Sequence, residues 1–93
     1  MSIEPNAVIA QTPGCLAAEM GEELVIMSVE RGLYFSLDPV GRDVWSRLAS
    51  PCTFAALCDR LSADYAGPRA AIATDVAALL ETLRGAGAVE IRA

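Results

Sequence analysis

The chain has 93 residues, 54% of them hydrophobic, a mean hydropathy of +0.40 and a net charge of −5. That length suits one domain whose core draws on most of its apolar positions. All seven basic residues are arginine and histidine is absent, which removes Schiff-base chemistry and the commonest general base and zinc ligand.

In chain order, residues 1–14 carry Pro5 and Pro13 among scattered apolar residues and read as an extended, partly loose N-terminal arm, set apart from a folded domain over residues 15–93. Cys15 to Met20 reads as a first strand, and Gly21-Glu22 has the form of a two-residue hairpin turn. Glu23 to Val29 is a second strand, apolar on both faces and therefore expected in mid-sheet with both faces at least partly covered. Glu30-Arg31-Gly32 turns the chain into a third strand, Leu33 to Leu37. There the period changes from two to that of a helix: Asp38 is an N-cap and Pro39 a first helical residue, with Val40, Val44, Trp45 and Leu48 following. Pro51 ends that helix and Thr53 caps the next, whose Phe54, Leu57, Cys58, Leu61 and Tyr65 form one inward stripe. Gly67-Pro68 opens a third helix with Ile72, Val76, Leu79, Leu80 and Leu83 on its apolar face. Gly85 and Gly87 close it, and Ala88 to Ile91 adds a short terminal extension.

The expected fold is therefore α+β: a three-stranded antiparallel sheet followed by three helices, a winged helix-turn-helix-like arrangement. Such folds bind DNA, but a recognition helix needs Arg, Lys, Asn or Gln in its first turns. The candidate helix offers Arg69 alone, followed by alanines and Asp75, so nucleic acid is not an expected partner. Residues 1–38 hold six carboxylates against Arg31, whereas the rest balances six acids with six arginines. That acidic half favours a neutral or basic partner. Cys15, Cys52 and Cys58 lack C-x-x-C spacing and read as reduced thiols, with no histidine to activate one of them as a nucleophile. No membrane span or signal peptide is visible, so the expectation is a cytoplasmic, non-catalytic protein without cofactor or metal.

The stretch G-L-Y-F-S-L-D-P-V-G-R-D-V-W-S-R-L (Gly32 to Leu48), the helices T-F-A-A-L-C-D-R-L (Thr53 to Leu61) and D-V-A-A-L-L-E-T-L (Asp75 to Leu83), and the closing R-G-A-G-A-V (Arg84 to Val89) carry a further reading. Together they resemble the precursor-peptide recognition domains similar to pyrroloquinoline quinone biosynthesis protein D, above all the stand-alone recognition proteins of lasso peptide clusters. The resemblance implies a domain that takes the leader segment of a ribosomally made precursor as an extra strand on the edge of its third strand, against its third helix. It also implies delivery of that precursor to a leader peptidase and a lasso cyclase. Within the same family, the alternative is a pyrroloquinoline quinone chaperone that hands its precursor to a radical enzyme.

An edge strand normally needs protection from aggregation, and Leu33 to Leu37 has neither proline nor charge to blunt it. A partner strand explains it. The expected contacts are Leu33, Tyr34, Phe35, Ser36 and Leu37 on the strand, with Asp75, Leu79 and Thr82 on one side of the third helix and Ile72 and Leu83 at its margins. Phe35 and Trp45 read as core; which face of the strand lines the groove is left open by the alternation. The same open edge allows either a monomer or an edge-strand dimer.

Overall fold

The computed structural model describes residues 3–92, whose elements run β1 (Val8–Gln11), β2 (Cys15–Met20), β3 (Glu23–Ser28), β4 (Leu33–Leu37), α1 (Pro39–Arg47), β5 (Cys52–Thr53), α2 (Phe54–Tyr65), α3 (Arg69–Gly85) and β6 (Val89–Arg92). The α+β class and the meander-then-helices order match the sequence expectation. The antiparallel meander has strand order β2-β3-β4, so β4 lies at an edge. Among the described residues no helix is long and apolar enough to cross a membrane.

Turn chemistry places the strands. Gly21 takes φ +66 in the two-residue turn that pairs Met20 with Glu23, a conformation open to glycine without steric cost. At the end of β4 the Asp38 side chain accepts a 2.7 Å bond from the Gly41 N–H, and Pro39 occupies the first turn of α1. Gly41 is buried, and a Cβ there would lie 3.3 Å from both Leu37 and Asp38. The strand can therefore turn directly into the helix. Asp38→Ala should lower stability by about 1 kcal/mol, seen as a small fall in Tm; an unchanged Tm would mean the cap contributes nothing here. Thr53 caps α2 in the same way, accepting from the Ala56 N–H at 3.2 Å.

The N-terminal segment differs from the loose arm expected of it. Ile9 is 0% exposed and Ile3 and Ala7 are also buried, because β1 is the central strand of a second antiparallel sheet, ordered β5-β1-β6. The segment carries few apolar residues, but they pair with residues 52–53 and 89–92, far away in sequence. The terminal extension is β6, and Cys52–Thr53, expected only as a helix approach, is a two-residue strand. Met1 and Ser2 of the predicted arm lie outside the described residues.

The core joins Leu24, Ile26 and Leu37 of the meander to Val44, Trp45 and Leu48 after it, Phe54, Leu57, Cys58 and Leu61 of α2, and Val76, Leu80 and Leu83 of α3. Trp45 contributes an indole N–H that reaches the Ala88 carbonyl at 3.5 Å. Two expectations are corrected. The two faces of β3 are covered unequally: Leu24 and Ile26 are buried, whereas on the other face Val25 is half-buried and Met27 is 44% exposed. Tyr65, expected at the end of an inward stripe, is 48% exposed; its hydroxyl donates to Asp43 at 2.6 Å. Arg47 bonds both Asp43 and Asp64, tying α1 to α2. Hydrogen bonds from Arg47, then from Tyr65, hold the Asp43 carboxyl below the usual range.

Candidate functional site

The direction of every backbone group in β4 follows from the hairpin. A two-residue turn is closed by a pair that exchanges both backbone hydrogen bonds, and such pairs alternate with pairs that exchange none. Met20↔Glu23 is the closing pair, so Ala18↔Val25 and Leu16↔Met27 also bond, and Val25 and Met27 spend their groups on β2. Leu24, Ile26 and Ser28 must then point theirs at Leu37, Phe35 and Leu33 of β4. Tyr34 and Ser36 are left with N–H and C=O directed away from the sheet. Tyr34 is 74% exposed and Ser36 is exposed as well.

That edge faces α3 across a groove of about 410 Å³. Leu33 to Leu37 form one wall, with Asp38 and Gly41 at one end. Leu79, Thr82, Leu83 and Ala86 form the other. Phe35 and Leu37 share the face of the sheet that carries the buried Ile26 and Leu24, so apolar side chains occupy the floor, while Tyr34 and Ser36 project from the opposite face. A chain laid along β4 would find unpaired donors and acceptors every second residue and an apolar slot for its inward side chains. The ionisable side chains lining the groove are the Tyr34 phenol and Asp38, whose carboxylate already accepts from the Gly41 N–H. Its chemistry suits binding.

The chain matches the family of Coenzyme PQQ synthesis protein D (PqqD) over residues 23–89, most of its length. It belongs to the PqqD family. Among solved structures, this PqqD-family chain is similar to TbiB1 in complex with the TbiA(beta) leader peptide, with 26% identity and a TM-score of 0.78 over 87% of this chain and 94% of that one. It also shares its fold with a lasso peptide synthetase B1 complexed with the leader peptide, at 22% identity and a TM-score of 0.75 over 88% of this chain and 96% of that one. No curated protein matches it.

Of the residues expected to form the site, the structure brings Leu33, Tyr34, Phe35, Ser36, Leu37, Leu79, Thr82 and Leu83 together around one groove. Ile72 and Asp75 fall elsewhere. They line a separate cavity of about 110 Å³ among the three helices, with Val40, Val44, Leu61, Tyr65 and Val76. Asp75 does share a side of α3 with Leu79 and Thr82, but the helix wall of the groove runs from Leu79 to Ala86 and leaves that turn to the other cavity. Asp38, Gly41 and Ala86 were missed as lining residues, although the Leu-Asp-Pro-x-Gly junction was legible as a helix start. Phe35, read from sequence as core, is only half-buried and packs from the rim of the core into the groove. Phe35→Ala should therefore destabilise by less than the about 3–5 kcal/mol of a fully buried phenylalanine and should weaken peptide binding as well; chemical denaturation and titration of one sample separate the two effects.

Proposed function

We propose that this PqqD-family protein is a non-catalytic recognition domain. It captures the leader segment of a ribosomally made precursor peptide of the lasso type as an added strand along β4, with inward side chains held against α3. It then delivers the precursor to a leader peptidase and a cyclase acting in the cytoplasm. The observation that carries this reading is the open edge at Tyr34 and Ser36, set opposite an apolar helix wall. The leader complex of TbiB1, the structurally similar protein at 26% identity, supports it.

Delivery of this kind needs no chemistry from the domain, because tethering raises the effective concentration of the precursor at the enzyme. A binding free energy of about −8 to −10 kcal/mol, a Kd near or below micromolar, suits capture followed by release. The description of the matched family favours a second reading, a chaperone for the pyrroloquinoline quinone precursor that passes it to a radical enzyme.

Titration calorimetry separates the two. The leader encoded by the small open reading frame beside the gene should bind one to one, whereas the quinone precursor should not. Saturable binding of the quinone precursor alone would reverse the assignment, and binding of neither by a folded sample would sink both. Sedimentation of the free protein should show a monomer that stays monomeric when leader is added; a dimer dispersed by leader would mean that a second copy occupies the edge beforehand.

A further inference from the structure

The two walls of the groove belong to separate elements, and at one end the Arg31 side chain reaches from the turn before β4 to the end of α3. Helix α3 ends in a Schellman motif: the Ala88 N–H bonds the Leu83 carbonyl at 2.8 Å and the Gly87 N–H bonds the Arg84 carbonyl at 3.0 Å, with Gly87 at φ +81. Those two bonds leave the Gly85 carbonyl without a partner inside the helix. Arg31, in the turn that leads into β4, supplies it, donating from Nη1 to the Gly85 oxygen at 2.7 Å. A cation at that position also complements the negative end of the helix dipole.

The turn is seated closely. Ser28, buried at 4% exposure, receives the Arg31 backbone N–H on its Oγ at 3.4 Å and the Gly32 N–H on its carbonyl at 2.9 Å. A Cβ on Gly87 would stand 2.9 Å from Arg31 Cδ and Nε and 3.3 Å from Ser28 Oγ. Glycine at 87 therefore meets two demands at once, the left-handed backbone and the space for the arginine stem.

We propose that Arg31, seated on Gly87, is the strut that sets the spacing between β4 and α3 and thereby the size of side chain the groove admits. Arg31 lies two residues before Leu33, and Gly85 lies one residue before Ala86, the two groove residues at that end. At the other end β4 is fixed to α1, through the Leu37-Asp38-Gly41 junction. Arg31 is thus a positioning residue for the leader-binding reading on which this inference rests.

The test compares the wild type with Arg31→Ala and Arg31→Lys, using the synthetic leader of the neighbouring precursor and variants in which each apolar leader residue is replaced in turn by alanine or by tryptophan. A snug apolar pocket discriminates a side chain of altered size by about tenfold or more. Wild-type protein should show that discrimination at the inward leader positions. Arg31→Ala, an exposed substitution that keeps the fold, should flatten it to within about twofold, and Arg31→Lys, which keeps charge and reach, should restore a large part of it. A purely structural role would lower Tm and leave the discrimination intact, and that result would overturn the proposal. Residual dipolar couplings of the β4 and α3 amides, measured without peptide, should report a changed or averaged angle between the two elements in Arg31→Ala. Unchanged couplings would overturn the strut even where no leader binds the wild type, whereas absence of wild-type binding on its own counts against the leader-binding reading.

Discussion

Replacing Ser36 by proline is expected to remove leader binding while leaving the domain folded. The Ser36 N–H points away from β3, so its loss breaks no bond of the meander. Phe35 before it already holds the extended conformation that a following proline imposes. A bound strand, in contrast, loses a donor and leaves its own carbonyl stranded in a partly desolvated groove. That omission costs about 1–3 kcal/mol, a fall of about fivefold to about 150-fold in affinity, and the proline ring adds a steric barrier on the same edge. Ser36→Ala is the control: it retains the backbone N–H and should bind within about twofold of wild type. Phe35→Pro is the counter-control, since the Phe35 N–H is directed at Ile26 and its loss should disrupt the sheet itself. Full leader affinity in a folded Ser36→Pro protein would show that the edge of β4 is not where the peptide adds.

The second large effect is expected far from the groove. Ile9→Ala removes a side chain that is 0% exposed at the centre of the β5-β1-β6 sheet. Truncation of a fully buried isoleucine costs about 2–5 kcal/mol, a large share of the about 5–15 kcal/mol that holds a typical domain together. Urea denaturation should show a midpoint well below wild type, or a protein already unfolded in buffer at ordinary temperature. A loose arm would give the opposite, a change within about 0.5 kcal/mol. Where Ile9→Ala is still folded, its leader affinity should match wild type, because β1 contributes nothing to either wall of the groove.

The arm also shows why the sequence reading stopped where it did. The meander, the Gly21-Glu22 turn and the caps at Asp38 and Thr53 rest on neighbours within a few residues, and residue type alone indicates them. Val8 to Gln11 has no such local signal. Its partners, Cys52–Thr53 and Val89–Arg92, lie some tens of residues away, and a four-residue strand can be recognised only when the chain has closed around it. Tyr65 fits the helical period of α2, yet α2 outlasts the core it packs on, so the stripe ends in solvent with its hydroxyl on Asp43.

The site divides along the same line. Leu33 to Leu37 was recognisable as an unprotected edge from its place at the end of a meander, and Leu79, Thr82 and Leu83 from helical spacing. Periodicity also nominated Ile72 and Asp75, because it describes a helix face along its whole length. The packing of the elements decides where that face stops belonging to the groove: Leu79, Thr82 and Leu83 face β4, whereas Ile72 and Asp75 line the cavity shared with Val40 and Val44 of α1. By itself the sequence determined the three strands of the meander and the three helices, that β4 would be exposed at an edge, and that no histidine or lysine chemistry was available. The tertiary structure alone decided that the N-terminal strand completes a second sheet, that Tyr34 and Ser36 present the open backbone groups, and that Arg31 spans from the turn to the end of α3. The first set depends on interactions within one element or turn, whereas the second depends on pairing, register and distance between elements that only the closed chain brings together.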